Sequence, residues 1–309
     1  MTVAALLPTA GGTGAPVDAP PASPPAGMRA RRWVPYALLA PGLLWLIAFF
    51  IVPVWQLFAA SLWDPNGSVE TGYAMTWSWS NYATAWDMFH VQFLRSLWYA
   101  LITTVVCVLL AYPLAYAIAV KGGRWKNLML VGVIAPFFTS YLVRTYSWKA
   151  ILADTGPVVE FLKWIHVLGP DGRLLATEFA VIAGLVYNFL PFMVLPLYAS
   201  LEKLDVRLLE AARDLYHGPV RSFLRVTLPL SMPGVVAGTL LCFIPATGDY
   251  VNAQLLGGPN TQMIGSVIQS RFLVVNDYPI ASALSVMLMA TILVLVTIYV
   301  STAGTEEVV

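Results

Sequence analysis

EAARDLYHGPVRSFLRVTLP, residues 210–229, is a charged island in an otherwise apolar chain. It holds three arginines (Arg213, Arg221, Arg225) and two acids (Glu210, Asp214), with long apolar runs on either side. Just upstream, Asp205 is placed to cap a helix, because its carboxylate can accept from the first free backbone N–H groups. Leu208, Ala212 and Leu215 then recur at i, i+4 and i+7 and share one helical face, while Arg207, Glu210 and Asp214 fall on another. Gly218-Pro219 ends this helix and starts a second, since proline suits a first helical turn. The second helix carries Val220, Phe223, Leu224 and Val226 beside Arg221 and Arg225. Two short amphipathic helices joined by a bend make too long a unit for a simple connection. Such a unit either anchors on a membrane surface or enters a groove on a partner, and amphipathicity alone does not choose.

Composition sets the surroundings of that island. Of 309 residues, 59% are hydrophobic and 11% charged, where soluble domains carry about a quarter charged residues. The mean hydropathy is +0.73. A chain this poor in charge cannot cover a water-facing surface, so it is expected to be an integral membrane protein. Six apolar runs, near residues 36–60, 96–120, 128–142, 179–200, 230–246 and 279–301, are the candidate spans. A hydrocarbon core of about 30 Å needs roughly 20 helical residues. The third and fifth runs are shorter and must extend into more polar flanks. Uninterrupted runs also exclude the alternating pattern of a membrane β-barrel.

Lys and Arg orient the spans. Arg29, Arg31 and Arg32 precede the first run; Lys121, Arg124 and Lys126 follow the second; Lys203, Arg207, Arg213, Arg221 and Arg225 follow the fourth. The positive-inside rule places these segments, and both termini, in the cytoplasm. Residues 1–32, rich in Ala, Pro and Gly, read as a disordered cytoplasmic extension. Residues 33–301 read as the transmembrane domain, with a loop at 201–229, and 302–309 as a short cytoplasmic tail. The run from Val34 is too long for a cleaved signal segment. The expected location is a membrane that the chain crosses several times.

Motifs of chemistry are missing. There is no phosphate-binding G-x-x-x-x-G-K-[ST] loop, so ATP is not expected to bind this chain by that route, and His90, His166 and His217 are isolated. Cys107 and Cys242 both fall inside spans, which offers neither a disulfide framework nor metal-ligand spacing. No catalytic residue, metal site, cofactor or nucleic-acid partner is expected. An ATP-independent secondary transporter is the rival class, but it commonly carries ionisable residues deep in several spans, and these spans are nearly bare of them.

The exact residues of the loop go further. Glu210-Ala211-Ala212, then a glycine, then Val226 with Leu228-Pro229, resembles the EAA loop of ABC importer permeases. APFFTSYLVRTYSW (135–148), GDYVNAQLLGGPNTQMIGSVIQSRF (248–272) and NDYPIASALS (276–285) resemble segments of polyamine-type permeases in the same order. The resemblance spans most of residues 33–300 and is nearest to the spermidine/putrescine group; permeases for iron or another small solute share parts of it. It implies an all-α fold, the six-transmembrane-helix type I ABC importer permease with a cytoplasmic coupling-helix loop, and a location in the bacterial cytoplasmic (inner) membrane. It also implies two copies of an ATP-binding subunit holding ATP and Mg, a second permease subunit, an extracytoplasmic solute-binding protein and a small cationic solute. The coupling residues carried over are Glu210, Ala211, Ala212, Arg213, Asp214, Tyr216, Gly218 and Pro219. Glu210 would make a charged contact and Ala211 with Ala212 would allow close approach. One departure stands out: the family glycine falls at Tyr216 here, and this chain's glycine comes at Gly218, which shifts the bend by about half a turn.

For the solute pathway, Asp249 follows the apolar run of the fifth span, where a carboxylate could attract an amine; a loop acid paired with Arg271 or Arg144 is the plainer reading. Tyr250 and Tyr187 offer cation–π faces. Asn188 is expected to hydrogen-bond between helices rather than to bind solute. Gly234 and Gly238 form a small-xxx-small face suited to close helix contact. Pro113, Pro136, Pro191, Pro196, Pro233 and Pro245 interrupt spans and require neighbours to satisfy the freed carbonyls. Trp77, Trp79, Trp86, Trp148 and Trp164 suit a membrane interface. Asp154, Glu160 and Asp171 are candidates for a face that meets the binding protein.

Overall fold

The computed structural model describes residues 34–205, 207, 208, 210, 211, 215 and 218–303. The expected extension 1–32 lies outside these residues, as does the tail beyond residue 303. Among the described residues the only β pairing is two isolated bridges, Trp63 with Met75 and Ser68 with Gly72. The rest is helix and loop, as the uninterrupted apolar runs require.

Residues up to Pro53 and from Val54 onward form two separate units. Helix α1 runs through Val34–Leu46, a π-helical turn at Ile47–Ile51, and Val52–Ala60. From Leu38 to Ala60 every side chain but Gln56 is apolar or glycine, the composition of a membrane-spanning helix.

Helix α2, Ser80–Tyr116 with a π-helical end at Ala117–Lys121, begins sixteen residues before the apolar run at 96. Asn81, Asp87, His90, Gln92 and Arg95 hide this part from a hydropathy reading while remaining helical. At 42 residues, α2 is about 63 Å long at 1.5 Å per residue, twice the hydrocarbon thickness. Helix α3 (Lys126–Ile134) runs through a 3₁₀ turn at Ala135–Phe138 to a break, and α4 (Tyr141–Ile151) leaves it at 93°. Helix α5 (Pro157–Trp164) is a short amphipathic helix, and α6 (Glu178–Glu202) is a continuous span capped by Thr177, whose Oγ1 accepts from the Ala180 N–H. After the loop, α7 (Val220–Leu230) meets α8 (Met232–Thr247) at 65°. Two short helices, α9 (Val251–Leu255) and α10 (Ile264–Ser270), precede the last span, α11 (Tyr278–Ala303).

Counting each bent pair as one span, the described residues hold six: four continuous helices and two broken ones. The expected third span, 128–142, straddles a break that its apolar composition does not announce. Pro136 supplies no N–H, Thr139 and Ser140 are extended, and Thr139 Oγ1 donates to the Pro136 carbonyl at 2.7 Å, which satisfies the end of the first half. At the second break, Ser231 lies between Pro229 and Pro233 and its Oγ donates to the Leu228 carbonyl at 3.0 Å.

The main core joins α2, α6 and α8 through Tyr99, Cys107, Leu185, Met193, Leu197 and Cys242. Both cysteines are free and buried there. Gly234 and Gly238 let α8 close on α6: a Cβ at Gly234 would stand 2.6 Å from Ser200 Cβ, and one at Gly238 would stand 2.6 Å from Met193 Sδ. A second core sets Phe93 of α2 against Ile264 and Val267 of α10 and Ile280 and Leu284 of α11.

Candidate functional site

Two regions carry the candidate residues. In the loop between α6 and α7, Asp205 accepts from the Arg207 N–H at 2.9 Å, the capping bond expected of it, and Arg207, Leu208, Glu210, Ala211 and Leu215 are helical. Glu210 and Ala211 are exposed, and so are Leu208 and Leu215 on the apolar face. Ala212, Arg213, Asp214 and Tyr216 lie outside the described residues, so the consequence of a tyrosine at 216 has no geometry here. Gly218 precedes a helix that opens at Pro219, as the sequence implies.

The second half of the loop is held firmly. A π-helical turn, Phe223–Thr227, packs the Phe223 ring edge-on against Tyr112 at 5.2 Å and Tyr116 at 6.5 Å near the C-terminal end of α2. Tyr112 and Ser231 share a buried hydrogen bond of 2.6 Å. The loop is thus exposed at Glu210 and Ala211 and gripped at Phe223.

The second region gathers polar groups around the α3–α4 break. Asp249, just beyond the end of α8, is 8% exposed and pairs with neither arginine considered for it. Arg271 pairs with Asp277 at 3.1 Å instead. The Asp249 carboxylate accepts from the Tyr141 hydroxyl and from the Asn252 N–H at 2.8 Å. Asn252 Nδ2 donates to the Tyr141 oxygen at 2.6 Å, and Asn188 Nδ2 donates to Asn252 Oδ1 at 3.3 Å and, more weakly, to Thr145 Oγ1 at 3.5 Å. Asn188 therefore bridges α6 to α4 and α9, the interhelical role expected of it. Burial raises the Asp249 carboxyl above the ordinary carboxylate range, with the hydrogen bonds from Tyr141 and Asn252 working against that rise. Tyr187 stands apart from this network, edge-on to Trp148 at 5.5 Å. Tyr250 is 45% exposed and makes no side-chain hydrogen bond or ring contact among the described residues. Of the four pathway candidates, Asp249 and Asn188 share one network, Tyr187 neighbours it, and Tyr250 does not join it.

Reasoning from sequence missed Tyr141 and Asn252, and Arg144 as anything but a partner for Asp249. Arg144 is 9% exposed and its guanidinium carbon lies 4.7 Å from the Phe137 ring centre and 5.7 Å from that of Tyr141. Its Nε and Nη1 have no acceptor. Each ring face contributes about 0.5–2 kcal/mol, whereas each buried N–H left unsatisfied costs about 1–3 kcal/mol, and more when charged. A cavity of about 440 Å³ adjoins Arg144, lined also by Thr139, Val143, Ser147, Trp148 and Tyr187. The signal available in the sequence is a lone arginine inside the aromatic run FFTSYLVRTYSW.

Of the three acids considered for docking the binding protein, Asp154 pairs with Arg173 at 3.2 Å on the surface, and Glu160 and Asp171 are exposed. Trp77, Trp79, Trp86 and Trp164 are all exposed, as interfacial residues are.

A multi-pass helical bundle with two broken spans and an exposed helical loop between the fourth and fifth defines the class: the membrane permease of an ABC importer. Residues 108–304 match the family described as binding-protein-dependent transport system inner membrane component, and the chain belongs to that family. It is 40% identical over 256 residues to the spermidine/putrescine transport system permease protein PotB of Haemophilus influenzae, covering 82% of this chain and 89% of that protein. The PotB protein of Escherichia coli strain K12 is 40% identical over 245 residues, covering 79% and 88%. The crystal structure of a bacterial ABC transporter involved in the import of the acidic polysaccharide alginate matches with a TM-score of 0.65 and 19% identity, covering 90% of this chain and 97% of its own. That likeness shows a shared fold.

Proposed function

We propose that this permease carries polyamines of the spermidine/putrescine type. In this reading a second, similar permease completes the pathway, two ATP-binding subunits holding ATP and Mg sit against the 201–229 loop, and an extracytoplasmic binding protein delivers the solute. Both termini lie in the cytoplasm by the distribution of Lys and Arg. The observation that carries the solute class is Asp249, a buried carboxylate held at a break in a span, together with 40% identity to permeases named for spermidine and putrescine. A carboxylate in that setting favours a cation.

Coupling follows from the contrast within the loop. Glu210 and Ala211 stand exposed where an ATPase groove would take them, and Phe223 ties the next turn to α2. Closure of the ATPases would move this segment and, through Tyr112 and Ser231, the 65° elbow between α7 and α8. Co-expression with a neighbouring ATPase, a second permease and a binding protein, then reconstitution, tests the reading. Putrescine or spermidine should stimulate ATP hydrolysis and accumulate inside vesicles, and Glu210→Lys should cut uptake about tenfold or more while each subunit still assembles, the loss expected when a charged contact of about 1.5–3 kcal/mol becomes repulsive. Stimulation by ferric iron and not by either polyamine would transfer the assignment to the iron-type alternative.

A further inference from the structure

We propose that Phe137, Tyr141 and Asp249 form a subsite for a single ammonium group, and that Arg144 is a tethered cation occupying this subsite when no solute is present. The inference rests on the polyamine reading and adds to it where one amine binds and what holds that place beforehand.

Four observations converge. Arg144 is buried, yet Nε and Nη1 of its guanidinium have no acceptor. It is held over the faces of Phe137 and Tyr141, the recognition that an alkylammonium also uses. Tyr141 joins this aromatic pair to a carboxylate, since its hydroxyl donates to Asp249 while its ring faces Arg144. Finally, a cavity adjoins Arg144, with a second aromatic pair, Trp148 and Tyr187, on its wall. The guanidinium therefore has somewhere to withdraw when another cation arrives.

The arrangement suits exchange better than storage. Arg144 is held over two ring faces and leaves Nε and Nη1 unsatisfied, so a cation that also reaches Asp249 displaces it readily. Charge is conserved in the swap: the aromatic pair holds one cation before and one after. The break at Thr139–Ser140 falls between Phe137 and Tyr141, so any change in the bend of this span alters the spacing of the two rings and with it the hold on the amine. Affinity for solute is thereby tied to the conformation of the span.

The test uses the reconstituted transporter with all its subunits and follows the KM and kcat of putrescine-stimulated ATP hydrolysis. Arg144→Gln removes the competitor, so KM should fall about five- to tenfold, the effect of losing one partly desolvated cation–π competitor, with kcat little changed and hydrolysis without solute raised. Arg144→Lys keeps a cation within reach of the rings and should restore KM toward the wild-type value. Free methylguanidinium should inhibit the Gln variant competitively and the wild type much less. Should Arg144→Gln fail to assemble, Phe137→Leu decides: KM should rise while kcat holds, and an unchanged KM overturns the subsite. A responsive wild type paired with a Gln variant of equal or higher KM overturns the inference while leaving the polyamine reading in place. A wild type indifferent to both putrescine and spermidine overturns the two together.

Discussion

The two broken spans solve the same problem in different ways. Where α3 meets α4, the chain turns through 93° and surrounds the turn with buried polar side chains: Tyr141, Asn188, Asp249 and Asn252 are hydrogen-bonded into one network, with Arg144 alongside. Where α7 meets α8, the chain turns through 65° and relies on apolar grip, with Phe223 against Tyr112 and Tyr116 and one hydroxyl pair between Tyr112 and Ser231. In a bilayer every freed backbone group needs a partner, and both breaks meet that need with a neighbouring hydroxyl. What they hold in addition differs. A polar network specifies an arrangement and is costly to leave half satisfied, which suits a place that must recognise a charge. An aromatic contact of modest directionality tolerates small rotations, which suits a joint that transmits motion.

The comparison breaks most completely if the base under both bends is removed. Gly238→Leu would drive a side chain into Met193, whose Sδ and Cα stand 2.6 and 3.3 Å from the position of a Cβ. Separation of α8 from α6 should cost more than about 4 kcal/mol, read as loss of the folded peak in size-exclusion chromatography of detergent-solubilised protein. Next, Asn252→Leu attacks the first break alone. It strips one donor from Tyr141 and the shorter of two acceptors from Asn188, which keep only their bonds to Asp249 and Thr145, at a cost of about 1–3 kcal/mol in all. The melting temperature should drop by several degrees and solute stimulation of hydrolysis should vanish, with hydrolysis itself remaining. Phe223→Ala attacks the second break. Its half-buried ring is worth about 2 kcal/mol, and the expected signature is the reverse: solute affinity is kept while uptake per ATP hydrolysed falls severalfold. Smallest is Tyr112→Phe, which deletes the hydrogen bond to Ser231 at a cost of about 1 kcal/mol, seen as a slight loss of melting temperature with transport nearly intact. If Asn252→Leu and Phe223→Ala gave the same phenotype, the division of labour between the breaks would be gone.

Much of this was legible before any coordinates. Runs bare of charge can only be spans, so 36–60, 179–200 and 279–301 fall within α1, α6 and α11. Gly234 and Gly238 announced close contact, and the contact is with α6. Asp205 announced a helix start, and it caps one. Three things were hidden, each for a physical reason. The first third of α2 is helical without being apolar, because a helix twice as long as the hydrocarbon is thick extends past the lipid and needs no greasy surface there. The break at Thr139–Ser140 depends on a threonine hydroxyl reaching back to the Pro136 carbonyl, a geometric event inside an apolar run. For Asp249 two readings stood open, a place on the solute pathway or a pairing with Arg271 or Arg144; Tyr141 from 108 residues away is its partner instead of either arginine, without importing a second buried charge. Hydropathy reads what a segment dissolves in. It does not read which two segments meet.

Helix α2 has a further consequence. Its N-terminal part packs Phe93 into the core shared with α10 and α11, and its C-terminal part carries Tyr112 and Tyr116 against Phe223. It is one rod of 42 residues, and a rod about 63 Å long is a lever. Tilting it by about 5° about its C-terminal end sweeps the far tip through roughly 5 Å, about the width of two water molecules. An opening of that size is enough to admit or refuse a slender solute. The mechanical advantage is written into the length of a helix whose outermost turns hydropathy alone leaves out.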